Sequence, residues 1–251
     1  MKIFATYNIK GGVGKTAAAV NLSYLAATEG FRVLLWDLDP QAAASYLFRI
    51  KPRVKGGGKA LIQGRRPIDQ AIKGTDFDGL DLLPADFTYR NLDLMLDSAK
   101  QPARRLAGLL APLKKEYDLV FLDCPPSISL LSESVLHAAD LLLVPLIPTT
   151  LSVRTLGQLT DFISGFNGHQ PEILAFFSMI DRRKRLHTQI AADLPAVRKD
   201  FATAVIPAAS VIEQMSVHRA PVAAFAPRTL AARQYRDLWA EARDRAGLPT
   251  G

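Results

Sequence analysis

Seven residues near the start of this chain, Lys10-Gly11-Gly12-Val13-Gly14-Lys15-Thr16, restrict its fold more than any other stretch. An apolar run, Ile3–Tyr7, precedes them with the length of a buried strand, and Ala17–Ala27 follows as a strong helix former. A strand, a glycine turn and a helix N-terminus make a phosphate cradle. The glycines let backbone N–H groups approach the anion, and the helix dipole favours negative charge. In such a loop Lys15 reaches the terminal phosphates and the Thr16 hydroxyl ligates magnesium. The expected nucleotide contacts are therefore Gly11, Gly12, Val13, Gly14, Lys15, Thr16 and Ala17. The general pattern G-x-x-x-x-G-K-[ST] needs a glycine at position 9, where this chain has Ile9 and then an additional cation, Lys10.

Two further segments supply carboxylates. Arg32-Val33-Leu34-Leu35-Trp36-Asp37 reads as a core strand delivering Asp37 at its end, with Leu38, Asp39, Pro40 and Gln41 beyond it. Leu119-Val120-Phe121-Leu122-Asp123 repeats the arrangement. Ligands of open α/β sheets bind at the carboxyl ends of strands, where these acids fall. Asp123 then holds magnesium or its waters near Thr16, and Asp39 is the best group to orient an attacking water. Asp37 is expected to hydrogen-bond the loop lysines or a magnesium-bound water.

These motifs resemble the ParA/MinD family of deviant Walker A ATPases. Lys10-Gly11-Gly12-x-Gly14-Lys15-Thr16 is similar to the family's phosphate loop, and Asp37-Leu38-Asp39-Pro40-Gln41 to the D-x-D-P-Q segment of partitioning ATPases of the ParA type. Leu122-Asp123-Cys124-Pro125-Pro126-Ser127, Leu80–Ala85, Ile206-Pro207 with Glu213, and the Tyr235–Glu241 helix resemble later family landmarks in the same order. The resemblance implies an ATP and Mg2+ cofactor pair and a homodimer formed on ATP, with Lys10 of each subunit reaching its partner's nucleotide. It also implies nonspecific DNA binding by the ATP dimer, and weak hydrolysis stimulated by a ParB-like or other adaptor, all serving to position a cargo. Asp181 and Pro207 are placed near the adenine by resemblance alone. Arg183 and Arg228 match basic positions of the family, with Arg219 and Arg233 as further DNA candidates. Two positions depart from it: Ala208 and Val211 stand where the family carries arginines. The alternatives are a MinD-like membrane-surface ATPase using the last helix, and a biosynthetic enzyme on the same scaffold.

Alternating apolar runs and helical patterns predict one α/β domain over 1–251: a mostly parallel twisted sheet with helices on both faces. Strands are expected at Ile3–Tyr7, Arg32–Trp36, Leu80–Leu83, Leu119–Leu122, Leu141–Leu146, Ile173–Met179 and Ala204–Ile206. Helices are expected near Thr16–Thr28, Tyr89–Ser98, Ala103–Lys115, Ser129–His137, Val153–Phe166, Thr188–Lys199 and Thr229–Ala246, the last burying Leu230, Leu238 and Trp239. No apolar run approaches the roughly 20 residues of a membrane span, so a cytoplasmic protein without stable membrane insertion is expected; the resemblance further implies association with the nucleoid. The lone Cys124 reads as a packing residue, and His137, His169, His187 and His218 show no metal spacing.

Charge is concentrated. The chain carries 31 Lys and Arg against 24 Asp and Glu, a net +7, and residues 49–66 alone hold seven cations and no acid: Arg49, Lys51, Arg53, Lys55, Lys59, Arg65 and Arg66. With Gly56-Gly57-Gly58 inside it, this insertion is expected to be a flexible loop over Arg49–Lys59.

Overall fold

The computed structural model describes residues 1–166 and 168–250. Its sheet contains β1 (Lys2–Thr6), β2 (Val33–Asp37), β3 (Lys73–Gly74), β4 (Leu80–Leu83), β5 (Leu119–Asp123), β6 (Leu141–Leu146), β7 (Glu172–Ile180) and β8 (Phe201–Pro207). The spatial order is β3-β4-β2-β5-β1-β6-β7-β8, parallel throughout except for the short edge strand β3. Strands β2, β5 and β6 are buried at every residue, which is why they read as unbroken apolar runs instead of alternating ones.

The helices are α1 (Lys15–Thr28), α2 (Ala43–Leu47), α3 (Gly58–Ile62), α4 (Leu92–Asp97), α5 (Arg105–Leu110), α6 (Leu130–Ala138), α7 (Thr150–Ser164), α8 (Arg185–Val197), α9 (Ser210–Glu213), α10 (Met215–His218), α11 (Val222–Phe225) and α12 (Leu230–Arg245). They cover both faces of the sheet. One face packs on α1, α2 and α12, where Trp239 lies with its ring centroid 6.2 Å from that of Phe4 and 6.3 Å from that of Phe121. The other face packs on α3 to α7. The Thr229 side chain caps α12 by accepting from the Ala232 N–H, which satisfies one free donor of the first turn.

Four expectations change. The helix foreseen over Ala103–Lys115 is cut short: α5 ends at Leu110 and a 3-10 segment, Ala111–Lys115, follows, because Pro112 has no N–H to continue the α ladder. Leu230, expected on the buried side of α12, is 45% exposed at its first turn. Strand β3 was not foreseen, since two residues carry no periodicity. The stretch after Arg49 is folded down and not a free loop: Val54, Leu61 and Ile62 are buried in the core. A Cβ on Gly58 would collide with the Tyr89 ring, so the segment crosses that ring closely.

The crossover through α1 carries the chain from β1 past β5 to β2, while β6 lies on the other side of β1. Successive connections therefore leave β1 in opposite directions. Beyond the carboxyl ends of such neighbouring strands a crevice forms, and the loop Tyr7–Gly14 lies in it.

Candidate functional site

The loop is shaped by its own backbone and clamped by three side chains. Gly14 caps α1 at φ 93° and Gly12 sits at φ 68°, both left-handed, where a side chain would be strained. Asn8 donates to the Pro145 carbonyl (2.8 Å) and accepts from the Lys10 N–H (2.9 Å), fixing the loop entrance to the end of β6. The Ser178 hydroxyl donates to the Val13 carbonyl (2.6 Å), and the Tyr7 hydroxyl to the Ser127 carbonyl (2.6 Å). The loop is thus tied to β7 and to the segment after β5 as well.

Lys15 is buried, and its Nζ donates to the Lys10 carbonyl at 3.0 Å. Burial pulls its pKa down, opposed first by the nearby Asp123 carboxylate. Lys10 is half-buried at the rim, and among the described residues its side chain makes no hydrogen bond or ion pair.

Strand register brings the acids together. Asp37 and Asp123 are aligned partners on β2 and β5, and Thr6 of β1 is aligned with Asp123 on its other side. Both acids are fully buried. Burial, followed by the charge of Asp37, drives the Asp123 carboxyl well above the usual range, with the Thr16 hydroxyl pulling the other way. The Thr6 hydroxyl reaches Asp123 Oδ1 (3.4 Å), but Asp123 Oδ2 is buried without a partner. An orphaned oxygen and two adjacent buried carboxyls fit a divalent cation. Among the described residues no three His, Cys, Asp or Glu side chains group to hold one unaided. That suits magnesium, which takes one or two carboxylates together with phosphate oxygens and water.

Asp37 is turned to a different task. Its Oδ2 accepts from the Ser45 N–H (2.8 Å) and hydroxyl (2.7 Å), and its Oδ1 from the Asp39 N–H (3.3 Å). Burial pushes Asp37 up to about 6 in spite of these donors. Ser45 Oγ in turn accepts from the Ala85 N–H (2.9 Å). Asp37 therefore ties the first turn of α2 to the start of the Asp39–Ala42 turn, in which Gln41 donates its N–H to Asp39 Oδ1 (2.9 Å). Replacing Ser45 by alanine strips a donor from a buried carboxylate and orphans the Ala85 N–H. The expected cost is about 2–4 kcal/mol in urea unfolding; a shift below about 0.5 kcal/mol would show that the relay carries no weight.

A cavity of about 650 Å³ joins these parts: Gly11, Gly12, Gly14, Lys15, Thr16 and Ala17 on one wall, Asp39, Pro40 and Gln41 on another, with Pro125, Pro126, Met179 and Ile212. It shares Gly14, Ala17, Met179 and Ile212 with a narrower apolar slot of about 80 Å³ lined also by Phe176, Ile206, Pro207, Ala208 and Tyr235. The wide cavity and the narrow slot are thus contiguous. Val13 is buried beneath the loop. Pro207 lines the slot, whereas Asp181 does not; the Arg183 side chain grips both its oxygens (2.9 Å each) and holds its carboxyl down to about 2.

Of the other basic candidates, Arg219 donates to the Tyr46 carbonyl (2.9 Å) and stacks 4.5 Å over the Tyr46 ring. Arg228 and Arg233 are exposed. Asn8, Ser45, Ser178, Met179 and Ile212 were missed in the sequence. Only Asn8, sited between the strand and the glycines, gave a local cue. Cys124 is buried, and burial pushes its thiol up, so it packs as a small apolar group. His137 and His218 stack on Phe166 and Phe225.

A glycine loop capping a helix on a parallel sheet, two lysines and strand-end carboxylates define a P-loop nucleotide-binding domain with the deviant Walker A arrangement. Comparisons agree. The family model AAA_31, an AAA domain, matches residues 1–176. The sporulation initiation inhibitor protein Soj of Bacillus subtilis is 31% identical over 243 residues, covering 94% of this chain and 96% of Soj. The chromosome partitioning protein ParA of Caulobacter vibrioides is 33% identical over 203 residues, covering 78% of this chain and 76% of that protein. Among solved structures, cobyrinic acid a,c-diamide synthase from Mycobacterium smegmatis, with bound ATP analog and magnesium, superposes with TM-score 0.82 at 26% identity over 100% of this chain and 98% of that one. The chain belongs to the ParA family of P-loop ATPases.

Proposed function

We propose that this chain is a partitioning ATPase that dimerises on ATP, binds DNA without sequence preference and positions a cargo, with hydrolysis stimulated by an adaptor protein. The observation that carries the reading is the pairing of a buried Lys15 on the loop floor with a half-buried Lys10 whose side chain finds no hydrogen-bond or ion-pair partner among the described residues. Lys15 is placed to serve its own nucleotide; Lys10 has charge to spare for a nucleotide presented by a second subunit.

Thr16 and Asp123 would hold Mg2+, which supplies charge neutralisation to the phosphates when bound. Gly11, Gly12, Gly14 and Ala17 would cradle the phosphates by backbone N–H groups, and the apolar slot with Pro207 would take the base. Asp39 stands on the cavity wall opposite the loop, where its carboxylate orients a water toward the terminal phosphate. Arg228 and Arg233, exposed near the start of α12, are available for phosphate contacts; Arg183 and Arg219 are already engaged within the subunit.

Trp239 and Leu238 are buried against the sheet, so α12 has no apolar face left for a lipid surface. No helix among the described residues is long and apolar enough to cross a membrane. The packing of α12 on the sheet supports a DNA-bound over a membrane-surface role.

The test is duplex binding by fluorescence anisotropy with ATP and Mg2+, with ADP and Mg2+, and without nucleotide. Binding is expected in ATP alone, and Asp39→Ala is expected to prolong it by blocking hydrolysis. Equal binding in all three states would remove the cycle. Normal hydrolysis in Asp39→Ala would remove Asp39 from it.

A further inference from the structure

The cations of the 49–66 segment are gathered, not dispersed, by the fold. A cavity of about 510 Å³ is lined by Lys51, Arg53 and Lys55 with Lys73 of β3. A second, of about 610 Å³, is lined by Arg65, Lys100, Arg104 and Arg105. No carboxylate lines either cavity, and among the described residues none of these eight side chains forms an ion pair. Arg66 links the two: its guanidinium donates to the Lys55 carbonyl, and it is the chain neighbour of Arg65. No phosphate-loop residue lines either cavity.

The band is held in shape before any ligand arrives. Leu61 and Ile62 of α3 are buried, and Arg105 Nε donates to the Ile62 carbonyl at 2.5 Å. The Val54 N–H donates to Asp86 Oδ2 at 2.9 Å. Burial opposes the charge on Asp86, but the Thr88 hydroxyl and the Val54 and Thr88 N–H groups outweigh it and hold this carboxyl below its usual range. Asp86 is therefore held by backbone N–H groups and the Thr88 hydroxyl, and among the described residues it forms no ion pair with the band.

Taking the segment's seven cations from the chain's 31 leaves 24, matching its 24 acids. Outside residues 49–66 the chain is neutral. Like charges gathered without counter-charges repel one another, a cost offset when phosphates displace their counterions. The linings also offer polar Gln63, Ser98 and Gln101 and, among large apolar side chains, only Ile50. A protein partner would need apolar or aromatic anchors that this surface does not supply.

We propose that this band is a nucleic-acid site, holding the phosphodiester backbone of duplex DNA without reading its sequence. The inference rests on the DNA-binding part of the function above and assigns most phosphate contacts to this band, away from Arg228 and Arg233.

The experiment is anisotropy on one labelled duplex across a salt series with ATP and Mg2+. It compares the parent protein, a Lys51→Gln/Arg53→Gln/Arg65→Gln/Arg104→Gln variant and an Arg228→Gln/Arg233→Gln variant. All six residues are exposed, and the anchoring Arg66 and Arg105 are retained; melting curves verify the fold, and calorimetry is expected to show unchanged ATP affinity. Each lost phosphate contact lowers the slope of log affinity against log salt by about 0.9, so the fourfold variant should lose between about 3 and 4 units. Loss confined to the Arg228→Gln/Arg233→Gln variant would overturn the band while leaving the proposed function intact. Absence of duplex binding by the parent protein in ATP would remove both. Poly-glutamate bound more tightly than duplex would show the ligand class to be wrong.

Discussion

Lys10→Ala is expected to bind ATP within about threefold of the parent chain and to hydrolyse it about 1,000-fold more slowly, the scale of a charge supplied in trans. Among the described residues its side chain makes no hydrogen bond or ion pair: the backbone N–H of Lys10 is held by Asn8 and its carbonyl by Lys15, and both survive the substitution. A mixture of subunits decides where the lysine acts. In a dimer of one Lys10→Ala and one Asp39→Ala subunit, the first subunit keeps Asp39 and receives Lys10 from the second. If Lys10 works across the interface, mixing two inactive proteins restores hydrolysis at that one site. A mixture as inactive as its components would place Lys10 on its own nucleotide or on none.

Lys15→Ala is expected to lose ATP affinity by about 100-fold, the equivalent of one or two charge-assisted hydrogen bonds. The effect is larger than the loss of a surface lysine because of what remains. Lys15 is a buried cation, and Asp37, Asp39 and Asp123 cluster at the same strand ends. Without it no cation lines the cavity to offset these carboxylates as the phosphates approach. Calorimetry with a non-hydrolysable ATP analogue measures the change, and an affinity within about threefold of the parent would remove Lys15 from the phosphate contacts.

Much of this arrangement was legible in the chain, for identifiable reasons. The phosphate loop is local, and its seven residues carry their own geometry through Gly12 and Gly14. Central strands are apolar on both faces, so β2, β5 and β6 announced themselves to within a residue or two. The pairing of Asp37 with Asp123 was foreseeable as a strand-end motif, but not the capture of Asp37 by Ser45, which depends on how α2 starts. Met179, Ile212 and Tyr235 lie more than 160 residues from the loop they face and belong to no local pattern. The 49–66 segment misled because its glycines and like charges suggest a loop, while Val54 and the adjacent pair Leu61 and Ile62 were enough to pin it down.

Helix α2 is only five residues long, yet both of its ends are secured. Asp37 holds the first turn beside the phosphate cavity. Beyond the last turn Arg49 donates to the His218 carbonyl (2.8 Å), and Arg219 lies on Tyr46, so that end is fastened to α10, next to the α9 residues that wall the apolar slot. One short strut thus runs from the wide cavity beside the glycine loop to the elements that wall the narrow apolar slot. A displacement of α2 at either end moves the wall of both.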